Sequence, residues 1–289
     1  MKWERARRST NVDDRRGGGS RAVRGAGGLG IGGILLVLAI SWFTGQNPAE
    51  LLRLVETAPV AGAPPQAATP GGAPADAKGD FIAAILGETE DVWSAIYQQN
   101  GGSYAPPTLV LFEDRVQSAC GMGEAATGPF YCPADRKVYL ELGFFEQMRT
   151  RLGGGGEFAE AYVIAHEVGH HIQTLTGVSR QVQELRRRGV DVKGADGPLV
   201  RQELQADCYA GVWAHHAQQR HAWLEPGDIE RALSTAAAIG DDRLQKQARG
   251  VVVPDSFSHG TSAQRVRWFR TGFETGDPGR CDTFAATRL

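Results

Sequence analysis

Apolar side chains at positions 81, 82, 85, 86, 92, 93 and 96 recur with helical spacing, and the run stops at Asn100-Gly101-Gly102, so a helix is predicted over residues 81–97. The period then changes. Residues 108–112 (Thr-Leu-Val-Leu-Phe) and 137–142 (Lys-Val-Tyr-Leu-Glu-Leu) are short and rich in β-branched and aromatic groups, which predicts two strands with a cysteine-bearing loop between them. After Gly143 helical spacing returns. Helices are predicted over 144–152, 158–176, 179–188, 198–220, 226–239, 241–249 and 261–273, with glycine and proline at the breaks. A small antiparallel sheet followed by many helices is an α+β order, and the segment 80–289, about 210 residues, is long enough for a single core.

The chain before residue 80 has a different character. Residues 26–43 include Leu29, Ile31, Ile34, Leu35, Leu36, Val37, Leu38 and Ile40 and end in Trp42-Phe43. At ~1.5 Å per residue such a run just crosses a hydrocarbon core of roughly 30 Å, with Trp42 at the interface. The overall charge of −2 hides an asymmetry, because residues 1–24 carry eight Lys or Arg against three acids. A basic arm can bind nucleic acid, but this one abuts an uncharged apolar run, so it is read as a membrane flank with no nucleic-acid partner. The expected organisation is a basic cytoplasmic arm (1–25), one transmembrane anchor (26–45), a Pro/Ala/Gly-rich linker (46–79) and a domain (80–289) held in the periplasm or outside the cell. The length of the run, and the lack of a small-x-small site after Phe43, set an uncleaved anchor above a signal peptide.

Cysteine usage agrees with that compartment. Cys120, Cys132, Cys208 and Cys281 are an even set without a Cys-x-x-Cys pair, which favours disulfides in an oxidising space. Of the three possible pairings, Cys120 with Cys132 is favoured because Gly121, Gly123, Gly128 and Pro129 let the chain turn back; Cys208 with Cys281 follows.

The chemistry concentrates in the predicted helix 158–176. His166 and His170 are four apart, on one face and about one turn from each other, so both imidazoles can reach a single ion. Glu167 stands next to the first histidine, placed to take a proton from a zinc-activated water without ligating. A His-Glu-x-x-His match arises by chance in roughly one chain of this length in a hundred. Gly169 inside the motif costs helix propensity and predicts close packing against another backbone. A catalytic Zn²⁺ needs a third protein ligand. Glu203 and Asp207, again four apart, sit among Leu204, Ala206, Cys208 and Ala210, where like charges want a cation. Glu203 is assigned as ligand and Asp207 as acceptor of a ligand histidine's ring N–H.

Three stretches together, His-Glu-Val-Gly-His-His-Ile-Gln (166–173), Arg-Gln-Glu-Leu-Gln-Ala-Asp-Cys-Tyr-Ala-Gly-Val-Trp (201–213) and Ser-His-Gly-Thr-Ser-Ala-Gln-Arg-Val-Arg-Trp-Phe (258–269), resemble the neutral zinc metallopeptidase family of bacteria. Gly-Pro-Phe-Tyr-Cys-Pro at 128–133 resembles it too, so the likeness covers 80–289 and includes the N-terminal anchor. More distantly, the Glu-x-x-x-Asp resembles the gluzincin pattern of thermolysin-like enzymes, which implies a zincin-like domain, Glu203 as third ligand and Asp207 orienting His166.

Other residues weigh less. His259 precedes a helix that starts with capping-box form, Thr261 and Gln264, and could donate to the oxyanion of the tetrahedral intermediate; Tyr209 and Tyr162 are lesser candidates. His171 points away from its neighbour's ligand face, and His215 and His216 are read as surface residues. The glycines 153–156 lack the Lys-Ser/Thr of a phosphate loop and read as a connector. The expected activity is a zinc-dependent endopeptidase acting on peptide or protein substrates, with residues 137–142 as a strand that could pair with an extended substrate. The alternatives are a zinc-binding scaffold without turnover and a zinc amidase acting on cell-wall peptides.

Overall fold

The computed structural model describes residues 1–16, 74–124, 128–151 and 155–289. The expected anchor (26–45), most of the expected linker (46–73) and part of the glycine connector (153–154) lie outside the described residues. Among those described, no helix is long and apolar enough to cross a membrane.

Helix α1 (Ala77–Gln99) starts before its apolar stripe because Asp76 caps it, accepting the Gly79 N–H at 2.7 Å. Strand β2 (Thr108–Phe112) follows, then a hairpin of β3 (Arg115–Ser118) and β4 (Gly121–Glu124), then β5 (Phe130–Cys132) and β6 (Lys137–Glu141). The helices are α2 (Gly143–Arg151), α3 (Glu157–Thr176), α4 (Val178–Arg187), α5 (Pro198–His221), α6 (Asp228–Ala238), α7 (Asp241–Arg249) and α8 (Ser262–Thr275). Thr261 caps α8 in a full capping box with Gln264.

The first residues belong to this unit: 1–14 group with 72–289. Val12–Asp14 form a strand, β1, that pairs in parallel with β2, Val12 opposite Leu109. Arg7 reaches Glu90 at 2.7 Å and Asp91 at 2.8 Å, Arg8 reaches Asp80 at 2.7 Å, and Ser9 donates its N–H to the Ala83 carbonyl at 2.9 Å. At Gly87 a Cβ would lie 2.3 Å from the Arg7 carbonyl oxygen, so the segment runs directly over the helix backbone. Charge alone reads these residues as an arm. The strand is invisible to periodicity because Asn11-Val12-Asp13-Asp14 offers a single apolar side chain.

The sheet has the order β1-β2-β6-β5. It is mixed, not antiparallel as expected: β1, β2 and β6 run parallel, and only β5 is antiparallel to β6. The intervening residues explain this. They fold into the separate β3–β4 hairpin and then β5, which turns directly into β6 and leaves the other edge of β6 to pair with β2. Cys120, in the hairpin turn, is bonded to Cys132 at the end of β5, and Cys208 on α5 to Cys281.

The core packs α1, α3 and α5 against one another, with α3 lying on β5 and β6, around fully buried Trp93, Trp213, Trp223, Tyr162, Phe158 and Phe269. Helices α3 and α5 touch at Gly169, where a Cβ would sit 3.0 Å from Ala206 Cα, the close approach that the glycine predicts. Helix α8 lies closer still to α5: a Cβ on Gly272 would meet the Cys208 carbonyl oxygen at 1.9 Å. These two contacts fix which side chains of α3, α5 and α8 meet.

Candidate metal centre

His166 and His170 on α3 and Glu203 on α5 present one ligand atom each, all within 4.8 Å of one another. His166 Nε2 is 3.2 Å from Glu203 Oε2, and His170 Nε2 is 3.5 Å from Glu203 Oε1. Zinc bonds of about 2.0–2.1 Å in a tetrahedron put neighbouring ligands about 3.3 Å apart, so the spacing fits. Both rings use their other nitrogen elsewhere: His166 Nδ1 lies 2.9 Å from Asp207 Oδ1, and His170 Nδ1 lies 2.9 Å from Gln173 Oε1. Each of those acceptors takes an N–H, which leaves a lone pair on each Nε2 facing the Glu203 carboxylate. Lone pairs aimed at a carboxylate repel unless a cation, proton or metal, lies between them.

Asp207, with no exposed surface, is the hub behind the ligands. It accepts from His166, from Tyr162 Oη at 2.5 Å and from Arg265 on α8, whose Nε and Nη2 each lie 2.9 Å from its oxygens. Burial pushes the Asp207 carboxyl up, but Arg265 and His166 outweigh it and hold it below the usual range. Glu203 follows the same pattern, with burial opposed by the charge of His170 and the hydrogen bonds of both histidines, and ends well below the ordinary value. Burial lowers the His166 imidazole, yet the charge and hydrogen bond of Asp207 and the hydrogen bond of Glu203 win, raising it to about 10.

A pH dependence follows. Below about 10, His166 carries a proton that zinc must displace, so zinc affinity rises with pH across the neutral range. The expected gain is about tenfold per pH unit for each proton displaced. Chelator competition in a series of buffers measures it; a flat profile would exclude His166 as a ligand.

The three residues open on a cavity of about 610 Å³ that Glu167, His259, Val163, Phe144, Tyr131 and Leu244 also line. Glu167 is 7% exposed; burial raises its carboxyl, opposed by His170 and His166. His259 arrives on the loop before α8. Asp241, the first residue of α7, holds that loop: its Oδ2 accepts three successive backbone N–H groups, from Ser258 at 2.7 Å, His259 at 2.6 Å and Gly260 at 3.1 Å. The His259 ring Nδ1 is 3.3 Å from Asp241 Oδ1, and that bond raises its pKa.

The remaining candidates are placed elsewhere. Tyr162 lines the cavity, but its hydroxyl is committed to Asp207. Tyr209 packs edge-on against Trp93, where burial pushes its hydroxyl up to about 12. His171 is buried among Tyr104 and Tyr131, accepts from Tyr131 Oη at 3.1 Å and donates to the Ala105 carbonyl at 2.7 Å. His215 and His216 are half-buried, not surface residues as expected: they donate to the carbonyls of Phe273 and Gly276, because α8 ends against α5.

Arg265, Asp241 and Gln173 are missing from the sequence-based assignment. The signal for Arg265 was present, since 265, 268, 269 and 272 form one buried stripe of α8. An arginine on such a stripe needs a buried anion. Gln173 likewise sits on the buried face of α3. Asp241 carries no comparable pattern.

The model of the family described as "Putative neutral zinc metallopeptidase" matches residues 1–284. "Uncharacterized protein YpfJ" of Escherichia coli (strain K12) is 44% identical, covering 98% of this chain and 99% of the relative. "Uncharacterized protein Rv2575" of Mycobacterium tuberculosis (strain H37Rv) is 43% identical over 72% of this chain and 73% of its own length. No solved structure matches. The family match includes β1 as well as the helices that bear the histidines and the glutamate, and the chain belongs to the neutral zinc metallopeptidase family.

Proposed function

We propose that this protein is a zinc-dependent endopeptidase that hydrolyses peptide bonds in extended polypeptide. The observation that carries the reading is the pair of imidazole Nε2 atoms turned onto one carboxylate, with both Nδ1 atoms occupied. Zinc held by His166, His170 and Glu203 would supply Lewis acidity, polarising the scissile carbonyl and acidifying a water. Glu167, buried beside the ligands and raised in pKa, accepts the water's proton and hands it to the leaving amine. His259, pinned by Asp241, faces the same cavity and donates to the oxygen on which charge develops.

Substrate binding falls to β5. The strand expected to pair with substrate, 137–142, corresponds to β6, which has β2 on one side and β5 on the other and offers no edge. Strand β5 ends the sheet among the described residues, and its Phe130 and Tyr131 line the cavity, so an extended peptide can add there. The two disulfides support a workplace in an oxidising space outside the cytoplasm.

The test is digestion of an unfolded protein by the purified, zinc-loaded protein. Cleavage is expected, lost on chelation and restored by zinc. Glu203→Ala should lower zinc affinity; full affinity in that variant would remove Glu203 from the ligand set. Release of fragments from cell-wall peptides, with unfolded protein left intact, would replace the endopeptidase reading with an amidase.

A further inference from the structure

The two histidines are oriented by different chemistry. His166 gives its Nδ1–H to a charged carboxylate, whereas His170 meets the neutral amide of Gln173, a residue with no exposed surface. Beyond Gln173 the amides continue. Gln173 Nε2 donates to the Gln202 carbonyl at 2.6 Å and to Gln205 Oε1 at 3.1 Å, and Gln205 Nε2 donates to the Cys281 carbonyl at 3.1 Å. Gln205 is 5% exposed, and Cys281 is tied covalently to Cys208 on the same helix as Gln205.

An amide side chain can be turned end for end, so its direction must be read from its partners. Here the partners leave one choice. Backbone carbonyls only accept. Turning Gln173 over would aim its Oε1 at the Gln202 carbonyl oxygen, and turning Gln205 over would aim its Oε1 at the Cys281 carbonyl oxygen. Each reversal sets two acceptors face to face in a site closed to water. The orientation is thus dictated from two backbone carbonyls and delivered at Gln173 Oε1, which can only accept. His170 Nδ1 must therefore bear the proton, and Nε2 is left as a lone pair on the Glu203 side.

We propose that Gln173 and Gln205 are positioning residues for the metal: a directed amide relay, anchored on the Gln202 and Cys281 carbonyls, that holds His170 in its Nδ1–H form with Nε2 free to ligate. The inference rests on the reading of His166, His170 and Glu203 as a zinc site. It makes the two histidines unequal. His166 is backed by a full negative charge and His170 by a dipole, so His170 is the ligand whose donor strength depends on alignment of its partner.

The experiment uses the full chain and measures zinc affinity by chelator competition in wild type, Gln173→Met, Gln205→Met and the double variant. Methionine keeps the length of the side chain and removes both polar ends. Gln173→Met should weaken zinc binding by roughly 10–100-fold, the usual effect of losing a ligand's hydrogen-bond partner. Gln205→Met should weaken it less, and should add nothing in the Gln173→Met background, because it acts through Gln173. Effects that multiply, or an unchanged affinity in Gln173→Met, overturn the relay.

A second readout needs no variant. Proton NMR of the zinc-loaded wild type should include exchange-protected ring N–H signals from His166 and His170, both on Nδ1, beside that of buried His171 on Nε2. In Gln173→Met the His170 signal should vanish while that of His166 remains. A wild-type His170 protonated on Nε2 sinks the proposal even if no variant folds. Failure of the zinc-site reading looks different: wild type would then bind no zinc, and there would be no affinity for the variants to change.

Discussion

Glu167→Gln lowers the rate of peptide hydrolysis by roughly 10²–10⁴-fold, the ordinary contribution of a positioned general base, while zinc content is unchanged. The two outcomes separate because Glu167 is not part of the ligand cluster, which comprises His166, His170 and Glu203. Glutamine fills the same volume and cannot take a proton. Burial raises the Glu167 carboxyl, and a cation bound by its neighbours would lower it. The sign of the rate profile is fixed either way: as pH falls through the Glu167 pKa, the base becomes protonated and activity drops. Steady-state kinetics with metal analysis of the same samples checks both effects. Wild-type activity in the glutamine variant would end the general-base assignment.

Arg265→Met should destabilise the domain by about 3–5 kcal/mol, the typical cost of removing one partner from a buried ion pair. Arg265 is 2% exposed and Asp207 has no exposed surface, so the surviving carboxylate would keep only Tyr162 and His166 as donors. The effect reaches the metal as well. The charge of Arg265 lowers the pKa of His166, so its loss lets His166 hold its proton more tightly against zinc. Denaturant unfolding of the zinc-free variant measures the first effect and chelator competition the second. Asp207→Asn placed on top of Arg265→Met should return some of the stability, because the stranded charge is then gone. A single-variant loss below about 1 kcal/mol would mean that the pair does not hold α8 on α5.

The residues that make the centre were legible because their signals are local. A helix repeats its face every turn, so His166 with His170, and Glu203 with Asp207, announce themselves by spacing, and Gly169 announces the crossing that joins them. What brings the centre together from farther away was not legible. The residues that orient Asp207, His170 and His259 are an arginine, a glutamine and an aspartate, residue types that ordinarily face solvent; only their position on buried helix faces or at a helix start distinguishes them. The sheet shows the same divide. Strands β2 and β6 are apolar runs that any β pattern finds, but their parallel pairing depends on where the chain between them goes. Gly121-Met122-Gly123-Glu124 has little β propensity and still forms β4, because Gly123 leaves room for the Phe130 ring, 2.5 Å from where its Cβ would be.

Strand β1 bears on how the chain can be threaded through a cell. Its backbone pairs with residues 109–111, so the first fourteen residues and the metal domain must share one aqueous compartment. A charge rule that keeps residues 1–25 in the cytoplasm and a disulfide rule that puts the domain outside it become mutually exclusive. Pulling β1 away from β2 would cost the sheet its edge strand together with the ion pairs that Arg7 and Arg8 make to the first helix.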